Sequence, residues 1–144
     1  MGQLTMTKAE REAFLAEVHV GVLAVNGANA PSLTPIWYSY EAGGAVVLST
    51  DGGSPKTALM RAAGRASICV QTEAAPYKYV VVEGPVTVED GVDSASRRAM
   101  AHRYLGPDFG DLYADSTADA ETTAVTVSIA PEKWHTIDFG KQFT

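Results

Sequence analysis

Between Gly52 and Lys78 the chain carries four basic residues, Lys56, Arg61, Arg65 and Lys78, against a single acid, Glu73. The chain as a whole has a net charge of −6, so this cationic segment stands out. Such a segment either grips a small anion or forms one face of a solvated helix, and charge alone leaves both readings open. The stretch "DGGSPKT" adds geometry to the first. Its loop residues run into Pro55, which suits a first helical position. A helix start presents free N–H groups and a partial positive charge, to which Lys56 adds a full one. A second stretch, "SLTPIWYSY", sets Pro35 in the middle of an extended segment and crowds Trp37, Tyr38 and Tyr40 into four positions. Proline removes a ladder donor, so this strand belongs at an edge, at a bulge, or where the chain turns toward something else.

Other chemistries are missing. His19, His102 and His135 are scattered, with no second histidine or cysteine at ligand spacing, which argues against zinc. There is no nucleophile elbow, no Walker loop and no dinucleotide fingerprint; "DGGSPKT" lacks the phosphate-loop spacing. Asp138 follows His135 by three residues, but in an extended segment the two side chains point to opposite faces. With no marked nucleophile, base or metal site, an enzyme built on this chain would take its hard chemistry from a bound cofactor.

The elements that must position these residues are mostly strands. Thr7 to Glu10 is a capping box, opening a helix with Ala13, Phe14 and Val18 at helical spacing. "VGVLAV", "SLTPIWYSYE" and "AVVLST" follow as three strands of a meander. "KTALMRAAG" is a short helix closed by Gly64. "RASICVQTE" and "YKYVVVEGPVTVE" are two more strands. "DSASRRAMAHRYLG" is a longer helix, capped by Asp93 or Ser94 and stopped at Gly106. The stretch 107–121, with five acids and no base, shows no period and reads as a loop bordering a site or lying on plain surface; a charged rim there would disfavour anionic substrates. "TTAVTVSIAP" and "KWHTIDFG" close the chain as a hairpin-like pair. About seven strands and three helices, with sequence-adjacent strands, indicate antiparallel β structure rather than βαβ alternation. "YVVVEGPVTV" is apolar on both phases, so a helix or second subunit must cover its outer side.

At 144 residues the chain is expected to be one domain, 1–144. The net negative charge argues against a nucleic-acid partner. No apolar run approaches the ~20 residues needed to span a bilayer, and the first residues lack a secretory apolar core. The one cysteine, Cys69, permits no intramolecular disulfide, and is read as a free buried thiol. A cytoplasmic, membrane-free protein is the expectation.

Taken in order, "EREAFLAEVHVGVLAV", "LTPIWYSYE", "LSTDGGSPKTALMRAAGRASICVQ", "APYKYVVVEGPV" and "PEKWHTIDFGK" resemble the pyridoxamine 5′-phosphate oxidase-like family with its FMN-binding split barrel. Within it, the chain looks most similar to the small actinobacterial branch that uses the deazaflavin coenzyme F420. The resemblance implies a mainly β, six- or seven-stranded antiparallel split barrel with short helices. It also implies a homodimer with cofactor grooves between the subunits. Thr34, Pro35, Ile36 and Trp37 would run along the groove beside the cofactor ring. Ser49 and Thr50 match positions near the phosphate or side chain of the cofactor, and Ser54, Pro55, Lys56 and Thr57 match the phosphate-gripping loop and helix start. Tyr77, Lys78, Tyr79 and Val80 match a strand start opposite, where aromatic faces suit a flat ring. Arg61 and Arg65 are surface residues unless a polyglutamate tail reaches them. Flavin-binding relatives often carry an arginine before the loop lysine and another in the penultimate strand, where this chain reads "GGSPKT" and "TTAVTV". The end, "DFGKQFT", lacks the basic segment of the classical pyridoxamine phosphate oxidases.

The function so implied is an F420-dependent oxidoreductase that passes a hydride from the reduced deazaflavin to a small conjugated organic acceptor. The alternatives are an FMN- or FAD-using oxidoreductase of the same fold, or a non-catalytic protein that binds a cofactor or other small ligand.

Overall fold

The computed structural model describes residues 2–143. Its strands are β1 (Gly21–Val25), β2 (Ser32–Ile36), β3 (Val46–Asp51), β4 (Arg65–Gln71), β5 (Lys78–Asp90), β6 (Ala124–Ile129) and β7 (Lys133–Asp138). The α-helices are α1 (Lys8–Ala16), α2 (Pro55–Ala63), α3 (Ser94–Leu105) and α4 (Pro107–Ser116). All pairings are antiparallel, in the order β2-β1-β4-β5-β6-β3, with β7 also on β5. The sheet curls into a split barrel. Leu23, Val25, Leu48, Ile68, Val80, Val82, Val127 and Ile129 meet inside it, all buried.

Local signals act where the residue types require. Thr7 and Glu10 exchange both bonds of a capping box at α1. Pro55 opens α2, and Gly64 closes it at φ 69°, a left-handed position that favours glycine. Asp93 accepts from the Ser96 N–H to cap α3. The 13-residue β5 is one continuous strand, as expected.

It is the long-range pairing that departs from the sequence reading. β6 and β7 are not a hairpin. They run head to tail along β5, β6 opposite Val86–Asp90 and β7 opposite Lys78–Glu83. Ile129 and Lys133 lie four residues apart opposite Val86 and Glu83, which lie three apart, so one extra residue bulges out between them. Gly84 sits opposite that bulge, where an added Cβ would stand 1.7 Å from the Ala130 carbonyl oxygen. The turn residues around Pro131 mark this in-line break, not a reversal.

The meander also fails. β1 and β2 pair, but β3 lies against β6; it touches the chain after β2 at a single bridge, Ser39 to Val47. Beyond that bridge β2 and β3 part, and this is the split of the barrel.

Two further corrections concern α1 and the acidic stretch. α1 ends at Ala16, and Val18 is exposed. The chain turns extended at Glu17 because other groups take its last carbonyls: the Tyr38 hydroxyl donates to Leu15 O at 2.7 Å, and Arg103 donates to Ala16 O and Glu17 O. The 107–121 stretch is not a loop. It folds as α4 and a 3₁₀ turn, starting from Pro107 in a first-turn position after Gly106. Its acids have no period of their own because they answer α3: Arg98 holds Asp111 at 2.9 Å and Asp115 at 2.6 Å, and His102 holds Asp111 at 2.6 Å. His102 first, then Arg98, keep the Asp111 carboxyl below its ordinary range.

Candidate functional site

The split between β2 and β3 opens into a cleft of about 440 Å³, within the ~300–1,000 Å³ of small-molecule sites. One wall is β2 and its continuation, Thr34, Pro35, Ile36 and Trp37; the other is Ser49 and Thr50 of β3, with Lys56 at the start of α2. Val20, Arg97, Met100 and Tyr113 complete it. β2 is an edge strand bonded only to β1, which is where a mid-strand proline is tolerated.

The residues of the α2 turn divide into two kinds. Ser54 and Thr57 fold the turn itself: both hydroxyls donate to Asp51 O, at 2.9 and 2.8 Å, and lie 3.0 Å from each other. Thr57 is fully buried. Lys56 is half-buried and, among the described residues, makes no hydrogen bond or ion pair. The Ser49 and Thr50 hydroxyls are likewise unengaged. No side chain caps the α2 N-terminus, so its first-turn dipole remains available to an anion. Arg61 and Arg65 point their charge elsewhere, to Asp90 at 3.2 Å and Glu132 at 2.8 Å.

Trp37 is not a free ring. It stacks on Tyr104 with centroids 4.9 Å apart and planes 4° from parallel, and Tyr113 leans on it at 5.3 Å. The Tyr104 hydroxyl donates to His19 O at 2.6 Å and accepts from the Tyr38 N–H at 3.1 Å. Arg103 Nε adds a bond to Tyr38 O. The α3–α4 hairpin therefore fixes the segment from which Trp37 projects. Tyr38 itself is wholly buried, and burial pushes its phenol well above the ordinary range.

Four expected site residues lie elsewhere in the chain. Tyr77 precedes β5, and Lys78, Tyr79 and Val80 begin it, away from the cleft walls. Val80 points into the core and offers only backbone. Lys78 borders a separate charged depression with Glu10, Asp138 and Lys141. The Tyr79 hydroxyl lies 3.2 Å from His135 Nε2 on the outer face of the sheet, and Asp138 instead accepts from the Gly140 N–H. Cys69, expected to be buried, is half-buried on the same outer face, where burial still pushes its thiol up.

Val20, Arg97, Met100 and Tyr113 were not anticipated as lining. Arg97 donates to Ala114 O at 3.1 Å, to Thr117 O at 2.8 Å and to the Thr117 hydroxyl, and pairs with Glu121. The signal for this wall was the Gly106–Pro107 pair, a helix stop followed at once by a helix start.

A split barrel with its cleft at the β2–β3 gap defines the class. The chain belongs to the pyridoxamine 5′-phosphate oxidase family, whose match spans residues 7–137. No curated protein matches it. Among solved structures it is similar to a conserved hypothetical protein of Mycobacterium tuberculosis, with TM-score 0.79 and 23% identity over 100% of this chain and 92% of that one. It is also similar to an F420 reductase, with TM-score 0.69 and 18% identity over 86% and 94%. A FAD-binding protein from Mesorhizobium loti gives TM-score 0.65 and 22% identity over 92% and 93%. At these identities the likeness is one of fold.

Among the described residues no helix is long and apolar enough to cross a membrane. No group of three or more His, Cys, Asp or Glu there could hold a metal ion.

Proposed function

We propose that the protein is an oxidoreductase that binds coenzyme F420 in the β2–β3 cleft and reduces a small conjugated organic acceptor. The observation that carries this reading is Lys56: a half-buried ammonium without a partner, beside an uncapped helix start and two unengaged hydroxyls, on the wall of a cleft edged by an aromatic stack. That donor set fits a phosphate. Lys56, the Lys56 N–H, Ser49 and Thr50 would hold it, while the β2 edge and Trp37 would lie along the ring. When bound in its reduced form the deazaflavin supplies a hydride. The chain's own contribution is to orient, exclude water and keep the anion paired. Among the cleft residues no side chain stands out as a general acid, so water supplies the proton that balances the hydride. No arginine stands just before Lys56 in "GGSPKT", which thins the grip on the phosphate of either cofactor.

The same reading includes a homodimer. The outer face of the sheet presents Pro35, Val22, Cys69, Val81 and His135 in register across β2, β1, β4, β5 and β7. Leu33 and Tyr77 are exposed at 65% and 54%. A second copy on this face would cover the row and bring its Tyr77–Val80 segment toward the cleft.

The test is a titration of the purified protein with F420 and, separately, with FMN, read by tryptophan fluorescence with a Trp37→Phe control for the Trp134 background. Quenching at micromolar or tighter F420 without a response to FMN is expected. Binding of FMN alone moves the protein to the flavin-using alternative, and binding of neither removes the basis for a redox role.

A further inference from the structure

Next to the cleft lies a second cavity of about 240 Å³, and the two share Ser49, Arg97 and Met100 as a common wall. Its origin is the way α3 is mounted. The C-terminal half of α3 is pinned to the barrel by Arg103 and Tyr104. Its N-terminal half lies over the outer face of β3 and β6 but packs chiefly on α4. A gap remains between helix and sheet.

Strand alternation says what that gap contains. Val46 and Leu48 face the core, so Val47 and Ser49 face outward. Ser39 stands opposite Val47, and Thr126 opposite Ser49, on the same face. Val92 and Met100 close the cavity from above. The charges at its rim are already spent. Arg97 holds two carbonyls, the Thr117 hydroxyl and Glu121, and Asp93 accepts both the N–H and the hydroxyl of Ser96. The Thr126 hydroxyl donates to Gly91 O at 2.8 Å. Among the described residues only the Ser39 and Ser49 hydroxyls in this lining are left without a hydrogen bond.

We infer that the cavity beneath α3 is the acceptor site, and that it takes a small uncharged ligand with a carbonyl group. The apolar floor and roof of Val47, Val92 and Met100 bury the carbon frame, and the neutral Ser39 hydroxyl, which unlike Ser49 does not line the cofactor cleft, donates to the oxygen. The volume lies below the ~300–1,000 Å³ typical of drug-sized ligands, so one ring with few substituents is the size that fits. An anion would have to sit beside the Asp93 carboxylate, and beside an Arg97 guanidinium already shared among Ala114 O, Thr117 and Glu121, which is costly without a new partner. Met100, flexible and unbranched, is the movable part of the wall between this cavity and the cleft. The inference rests on the reading of the cleft as a cofactor site, because the shared wall is what makes the second cavity an acceptor position.

The experiment follows the methionine methyl groups by NMR in the whole protein, first without cofactor, using 2-cyclohexen-1-one as the probe and benzoate as the charged counterpart. Met60 and Met6, buried at 0% and 5% exposure, are the internal references. Cyclohexenone is expected to shift the Met100 methyl and leave Met60 and Met6 unmoved, with no response to benzoate. Val92→Phe lies in a connection outside helix and strand and fills the cavity from its rim. It should weaken cyclohexenone binding by about tenfold or more while F420 still quenches Trp37. Ser39→Ala should weaken it without changing the cavity. A Met100 methyl that ignores cyclohexenone overturns the inference, as does equal binding of benzoate, or a Val92→Phe protein that binds the probe like the wild type. If the probe binds as expected but F420 does not, the cavity stands as a ligand site and its role as an acceptor site falls with the cofactor reading; the fluorescence titration separates the two failures.

Discussion

The α3–α4 hairpin and the start of α2 both bring cations to the neighbourhood of the cleft, and they use them differently. On the hairpin every arginine is committed within the chain. Arg97 ties α3 to the end of α4, Arg98 holds Asp111 and Asp115, and Arg103 takes the carbonyls of Ala16, Glu17 and Tyr38. At α2 the hydroxyls of Ser54 and Thr57 build the turn, and Lys56 is left over. A cation that satisfies backbone carbonyls is part of the scaffold, and removing it leaves those carbonyls without a partner. A half-buried cation that satisfies nothing contributes little to folding, so its place on a cleft wall is explained by a ligand better than by stability.

The sharpest way to break this contrast is Arg103→Ala. It removes the grip of α3 on the carbonyls of Ala16 and Glu17 and on Tyr38 O, three hydrogen bonds from a charged group. A loss of about 3 kcal/mol is expected from charge-assisted bonds at ~1.5–3 kcal/mol each, partly recovered by water. Urea unfolding would read it as a lowered midpoint at unchanged slope. If the midpoint stays put, Arg103 is not scaffold and the distinction between the two regions fails.

Tyr104→Phe is the subtler cut at the same joint. The ring and its stack on Trp37 survive, but His19 O and the Tyr38 N–H lose a partner. Leaving buried polar groups unpaired costs about 1–3 kcal/mol, so a loss of about 2 kcal/mol is expected. Because the stack persists, the emission of Trp37 should change less than the unfolding midpoint does. Comparing the emission spectrum of the variant with that of the wild type checks this.

Lys56→Ala is the converse experiment. Stability should change by less than about 0.5 kcal/mol, as for a surface substitution that breaks no hydrogen bond or ion pair. F420 affinity should fall by about tenfold or more, the equivalent of one charge-assisted hydrogen bond at ~1.4 kcal/mol. A variant that unfolds early but binds F420 normally would reverse the assignment of both regions.

How much of this could be seen in the sequence follows the range of the interaction. Thr7, Pro55, Gly64, Asp93 and Gly106 act within one turn of chain, and each helix boundary they predict is present apart from the end of α1. β5 reads as a strand because both its phases are apolar. The partner of β3 was not legible. Val46–Asp51 pairs with Ala124–Ile129, and nothing local in either segment encodes a choice between that strand and adjacent β2. The cleft exists because β3 makes the distant choice, so the site walls were partly named while the gap between them was not. α4 was hidden for a related reason: its acids are spaced to meet Arg98 and His102 on α3, and such matching shows only when the two helices lie side by side.

The smallest effect expected lies far from the cleft, where a cation and an acid pair at the surface. Glu10 accepts from Lys141 Nζ at 2.7 Å and from the Thr7 N–H at 2.8 Å, tying the capping box of α1 to a second 3₁₀ turn, Phe139–Phe143. The Lys141 bond first, and the Thr7 N–H second, lower the Glu10 carboxyl from 4.5 to about 2. A carboxyl whose folded value lies below its unfolded one binds fewer protons in the folded state. The stability it adds is therefore complete above the unfolded value and drains away as pH falls from 4.5 toward 2. The pair is exposed and screened, so the effect is small and shrinks further in salt. Thermal unfolding of Glu10→Gln should run parallel to the wild type near neutral pH and show a shallower decline across that acid window. A variant curve as steep as the wild-type curve there would mean that acid sensitivity comes from the Asp111 and Glu132 carboxylates, whose values Arg98 and Arg65 also help to lower, and that the tie between the two ends of the chain is spectator chemistry.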